Sequence, residues 1–172
     1  MKLLNWINFT WDLAKLPSLK VQVPEHYQIA PIAKEDEAEL RKVVLACFVL
    51  DPAWNPAMHE VKHKIDIWFD RAFDPASTCL ALRHGLRIIG GAVLSLDPGA
   101  DNHLAPGPCI LMEYRNRGFG TMLLESSLAL LREAGLSRAV GMARERVPVA
   151  KFLYPKFEGV ITPVEMRPLL AA

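Results

Sequence analysis

The run Arg115-Asn116-Arg117-Gly118-Phe119-Gly120-Thr121 sets two glycines one residue apart beside two arginines. Before it stands a short apolar run, Cys109-Ile110-Leu111-Met112, which reads as a buried strand. After it, residues 122–134 carry Leu124, Leu128 and Leu131 at helical spacing and stop at Gly135. A Gly-x-Gly turn that opens a helix leaves backbone N–H groups unpaired at the positive end of the helix dipole. Such a turn cradles a phosphate or pyrophosphate. Gly118 and Gly120 let the backbone approach the anion, and Arg115 and Arg117 add positive charge. The spacing predicts a site for a phosphorylated ligand.

Two phosphate motifs do not fit. No G-x-x-x-x-G-K-[ST] string occurs, and Leu123 stands where the dinucleotide fingerprint needs its third glycine. A different string, His59-Glu60-Val61-Lys62-His63, is a literal H-E-x-x-H on a predicted helix. Two imidazoles one turn apart bind zinc, and the glutamate would activate a bound water. Each histidine, however, lies about 200° from Val61 around the helix, opposite its apolar stripe. No third ligand follows at the usual spacing, and Lys62 and Lys64 bring positive charge to the same place. The expectation is a solvated helix face with no metal.

The elements around these motifs are legible from periodicity. Residues 26–32 read as a strand between Pro24 and Pro31, and 34–48 as a helix burying Leu40, Val43, Val44, Cys47 and Phe48. A second helix over 57–73 follows a proline-containing loop and has Val61, Ile65, Trp68 and Ala72 as its stripe. Residues 78–83 and 88–96 form a hairpin about His84-Gly85, 97–108 a Pro/Gly-rich loop, and 139–143 a further strand.

At 172 residues, 51% hydrophobic and 23% charged, the chain suits one core-forming unit, and the order of its strands and helices reads as the α/β (α+β) class. A net charge of +1 argues for neither nucleic acid nor a membrane surface as partner, and no segment is long enough to span a bilayer. Three widely spaced cysteines in apolar runs, Cys47, Cys79 and Cys109, read as buried free thiols of a cytoplasmic protein. Residues 1–24, rich in Trp and Leu, read as an N-terminal extension. It is expected to be a helix packed on the rest or on a second subunit of a homodimer. The alternative is a surface anchor carrying Trp6, Phe9 and Trp11.

The string Arg115-x-x-Gly118-x-Gly120 resembles the R/Q-x-x-G-x-G/A signature of the GNAT superfamily of acyl-CoA-dependent N-acetyltransferases. Glu113-Tyr114-Arg115 is similar to that family's "PEYR" lead-in, with Met112 in place of proline, and Ala150-Lys151-Phe152-Leu153-Tyr154-Pro155-Lys156 resembles its "A-x-x-x-Y-x-K" segment. The resemblance implies that residues 25–172 form one acetyltransferase-like domain. Its sheet would be mixed, mostly antiparallel and flanked by helices, with the fourth and fifth strands splayed apart. It implies acetyl-CoA as acyl donor, its pantetheine paired with backbone about Ile110 and Leu111 and its pyrophosphate on the amides of Asn116, Arg117, Gly118, Phe119, Gly120 and Thr121. Tyr154 would protonate the leaving thiolate. The acceptor would be the amine of a small molecule or peptide, in a pocket that Trp54, Met58, His59 and Glu60 help to line.

The chain departs from the family at positions that bear on catalysis. Met142 stands where some relatives carry a glutamate, Val147 replaces a frequent asparagine, and the glycine-phenylalanine pair after the tyrosine is altered to Glu158-Gly159. Glu113, Glu145 and His103 are the nearby ionisable groups, and none is singled out as a base. An acyl-CoA-binding module without activity is the alternative function.

Overall fold

A computed structural model of the chain describes residues 6–17, 22–144 and 147–162. Ile7, Phe9 and Trp11 alternate with Asn8, Thr10 and Asp12, and that period of two builds a strand, β1 (Trp6–Asp12). This corrects the expected N-terminal helix. A helix would scatter these residues around its circumference, whereas the strand sends Phe9 and Trp11 to one side, where both are fully buried. With those two rings in the core, Phe9 and Trp11 are not available to a membrane surface. Residues 1–5 and 18–21 of the same extension lie outside the described residues.

The remaining elements follow the order read from the sequence. They are β2 (Tyr27–Pro31), α1 (Glu37–Val49), α2 (Met58–Arg71), β3 (Ser77–His84), β4 (Arg87–Ser95), β5 (Cys109–Ile110), α3 (Phe119–Glu133), β6 (Arg138–Arg144) and β7 (Val160–Thr162). Leu40, Val44 and Cys47 bury one face of α1, and Val61, Ile65 and Phe69 one face of α2. His59 and His63 are exposed on the far side of α2, as the helical wheel requires. Among the described residues, no cluster of three or more His, Cys, Asp or Glu is placed to hold a metal ion. The three cysteines are buried and unpaired.

The strands make two sheets, β2-β3-β4-β5 and β6-β1-β7, antiparallel throughout. β1 runs between β6 and β7, with Phe9 opposite both Gly141 and Ile161. β5 and β6 are not paired with each other, so the layer is broken between them. Past β5, the loop continues the ladder along β4 through Ala105 N–H to Val93 O (3.1 Å) and Ser95 N–H to His103 O (3.0 Å).

His103 spans the break. Its backbone N–H donates to Val140 O (2.7 Å), and Val140 N–H donates to its Nδ1 (2.9 Å). Because Nδ1 accepts, the ring proton sits on Nε2, which lies 2.9 Å from Asp97 O. The side chain is fully buried, and burial lowers its pKa. A buried imidazole that must stay neutral stabilises the fold above its unfolded pKa, about 6.5. That contribution is lost as pH falls toward the depressed folded value, since only the unfolded chain takes up the proton. The melting temperature should therefore drop between pH 7.5 and pH 5. His103→Asn, which keeps an acceptor near Nδ1 but does not titrate, should melt lower at pH 7.5 and show a shallower drop. Parallel slopes for the two proteins would remove His103 as the cause.

Candidate active site

An open cleft of about 1130 Å³ follows the break. Its walls come from the end of α1, the turn Pro52–Ala57 and α2 on one side, and from β5, the start of α3, the end of β6 and Tyr154 on the others. Ile110, Arg115, Asn116, Gly118, Phe119, Gly120, Thr121 and Tyr154 all line it. Leu111 and Arg117 do not.

The glycine turn has the form its sequence predicts. Gly118 caps α3 with φ +85°, a left-handed conformation that side chains resist, and Asn116 also has positive φ, at 63°. The first bond of the helix runs from Met122 N–H to Gly118 O (3.1 Å). Ahead of it, the amides of residues 116–121 meet no acceptor among the described residues. They sit at the positive end of a 15-residue helix, the arrangement that holds a phosphate.

Arg115 has a different task from the one its charge suggested. Its Nε donates to Ile110 O (2.9 Å), Nη2 to Cys47 O (2.9 Å) and Nη1 to Asp51 Oδ2 (3.0 Å). Cys47 O belongs to the last turn of α1, where carbonyls lack helical partners and a cation is favoured. The guanidinium thus staples the lead-in of the glycine turn to α1 and to Asp51. Arg117 is exposed, 5.5 Å over the Tyr114 ring. Phe119 buries its ring and can offer a ligand only its amide.

Strand β5 presents a single amide to the cleft. Leu111 N–H donates to Ile89 O (2.9 Å), on the β4 side. By the alternation of an antiparallel ladder, Ile110 N–H points the other way, and Ile110 O is the group that takes Arg115.

Tyr154 follows a wide turn, Val149–Leu153, closed by its own N–H on Val149 O (2.9 Å). Its ring meets Trp11 edge-on at 5.2 Å and Phe9 at 5.5 Å, and Trp11 Nε1–H donates to Lys156 O (3.0 Å). Three glycines make room for it. A Cβ at Gly107 would fall on the Tyr154 hydroxyl, one at Gly159 would fall on the Tyr154 carbonyl, and one at Gly141 would stand 3.2 Å from Cε2. The phenol is 2% exposed, and burial first, the Cys109 thiol second, push its pKa well above the ordinary value. It keeps its proton throughout the physiological range.

Of the ionisable groups named as bases, Glu113 pairs with Arg87 (3.3 Å) away from the cleft, and both nitrogens of His103 are engaged in the break. Glu145 lies outside the described residues. Met142 and Val147 line the cleft, as do Trp54 and Glu60, whereas Met58 and His59 do not. Sequence reasoning missed Phe9, Trp11, Gly107 and Asp51. The alternation in β1 was the available signal for the first two. Gly107 read only as a loop residue, and Asp51 only as the start of the segment, residues 51–66, expected to shape the acceptor pocket, with no partner assigned.

The profile of the acetyltransferase (GNAT) family matches residues 34–157. The chain belongs to the GNAT acetyltransferase family. No curated protein matches its sequence. Among solved structures, this GNAT chain is similar to a GCN5-related N-acetyltransferase from Sphaerobacter thermophilus (TM-score 0.62, 14% identity, covering 94% of this chain and 50% of that one). It is also similar to one from Ralstonia eutropha JMP134 (TM-score 0.60, 21% identity, 85% and 99%). A third is a conserved protein of unknown function from Staphylococcus epidermidis (TM-score 0.62, 16% identity, 91% and 57%). The GNAT chain spans 50% and 57% of the Sphaerobacter and Staphylococcus proteins, so these two are much longer. At these identities the likeness is one of fold. The break between β5 and β6 is the splay that the sequence resemblance implied.

The contact at Gly107 is testable by a double-mutant cycle. Gly107→Ala should cost about 1–3 kcal/mol in denaturant unfolding through overpacking. In a Tyr154→Phe background the same substitution should cost less, because the clashing oxygen is gone. Equal costs in both backgrounds would mean the hydroxyl does not lie against this loop.

Proposed function

We propose that this protein transfers an acetyl group from acetyl-CoA to a primary amine of a small molecule or peptide. One observation carries the reading: the unpartnered amides of residues 116 and 118–121 and the buried Tyr154 phenol belong to residues that line the same cleft. The cradle fits a diphosphate in particular, because Gly118 adopts the left-handed turn and Gly120 presents no side chain. Acetyl-CoA would bring an activated thioester to the site.

The residues then divide the work. Amides 116–121 bind the diphosphate. Ile110 N–H is aimed into the cleft, where it can donate to a thioester carbonyl oxygen. Tyr154, kept protonated by burial, donates to sulfur as the C–S bond breaks and the amine nitrogen bonds the acetyl carbon. The proton lost by the amine leaves to solvent, and Tyr154 is reprotonated from there, so the products are an amide and a thiol. Among the described residues, the carboxylates lining the cleft are Asp51, bonded to Arg115, and Glu60, 3.7 Å from Lys64. Neither is a free base. Desolvation by the apolar walls is the reading for how the amine, whose ordinary pKa is about 10.4, loses its proton. Buried, unpaired thiols support a reducing, cytoplasmic setting for this chemistry.

Calorimetric titration with acetyl-CoA tests the site. One equivalent should bind the parent protein, and Gly118→Glu, which puts a side chain and a negative charge into the cradle, should abolish binding. Tyr154→Phe should bind normally and lose about 10²–10⁴-fold in turnover. Binding without turnover on a broad amine panel would favour the acyl-CoA-binding module, the reading that Met142 and Val147 support. No binding at millimolar ligand would sink both.

A further inference from the structure

Where α2, the turn Pro52–Ala57 and the paired ends of β1 and β6 meet the cleft, tryptophans and cations stand together. Trp6 and Arg144 are register partners on β1 and β6. The Arg144 guanidinium lies 5.2 Å over the Trp54 ring, and Lys64 Nζ 4.7 Å over Trp6. Behind Trp54, Phe48 packs edge-on at 5.0 Å and itself lies 6.3 Å from Trp68. All six residues line the cleft.

Charge decides what such a wall accepts. A row of aromatic rings would ordinarily suit a cationic ligand. Here the faces of Trp6 and Trp54 already carry the protein's own cations. Asp51 is neutralised by Arg115 and Glu60 lies against Lys64, which leaves Arg144 and Lys156 as the other charged side chains among the described lining residues. A polyamine would meet repulsion. A guanidinium held over an indole can still offer its N–H groups to a carboxylate in a fork. Among the described residues no hydrogen bond occupies those groups.

We propose that the acceptor is an amine bearing a carboxylate and an apolar body, in the manner of a free aromatic or aliphatic α-amino acid. The carboxylate pairs with Arg144, and the side chain lies against Phe48, Trp54 and Trp68. The amine is thereby held in the cleft that Tyr154 lines. The proposal rests on the acetyl-transfer reading for its chemistry but concerns residues other than the glycine turn, Ile110 and Tyr154.

Product binding tests it apart from turnover. N-acetyl-L-phenylalanine, its neutral C-terminal amide, and N-acetylspermidine are titrated calorimetrically into the parent protein, with and without CoA. The acid should bind at least about tenfold tighter than the amide, and N-acetylspermidine weakest. Arg144→Gln should bring the acid-to-amide ratio close to one while leaving CoA affinity unchanged, and Arg144→Lys should restore part of it. Equal binding of acid and amide to the parent, preference for N-acetylspermidine, or a ratio that survives Arg144→Gln overturns the proposal. If the ratio holds but no amine is acetylated, the carboxylate-binding role of Arg144 stands and acetyl transfer falls.

Discussion

An antiparallel ladder satisfies its amides and carbonyls only where two strands run side by side, and between β5 and β6 they do not. Each unpaired backbone group there must find another partner or face the cleft. His103 supplies the nearest thing to a missing ladder, one backbone bond and one ring bond to Val140. Ile110 O is taken by Arg115, and Ile110 N–H is left for the cleft. The break is thus pinned at a few points and open elsewhere. That geometry makes room for a ligand without leaving a buried edge of orphaned polar groups.

Arg115 shows how a charge can be spent on structure at the border of a site. Three acceptors from β5, the end of α1 and Asp51 converge on one guanidinium. The consequence is mechanical: the two walls of the cleft are tied across its floor, and the amides of the glycine turn are held in register with them. Anion binding is then left to backbone dipoles, which need no side chain to reorganise.

The N-terminal strand matters for a similar reason. β1 fills the place between β6 and β7 and sends Phe9 and Trp11 under Tyr154. A phenol packed edge-on by two rings and fenced by Gly107, Gly141 and Gly159 has little freedom, and the same burial keeps its proton on. Residues far apart in sequence therefore set both the position and the acidity of one hydroxyl. Trp6, at the start of the same strand, helps to wall the cleft.

The sequence by itself determined whatever depends on near neighbours. Gly118 announces the turn because a left-handed cap before a helix needs glycine. The stripes of α1, α2 and α3 announce their buried faces, and the exposed H-E-x-x-H follows from the same arithmetic. Even β1 was written in the alternation of Ile7, Phe9 and Trp11, although a tryptophan-rich terminus invited a helix instead. Tertiary structure alone decided which groups meet across the break. Arg115 looks like an anion ligand until Cys47 O and Asp51 arrive from α1 and the loop after it, 68 and 64 residues away. His103 looks like a base until Val140 takes its ring nitrogen. Hydrogen-bond partners are chosen by distance in space, and a pattern along the chain carries no record of that distance.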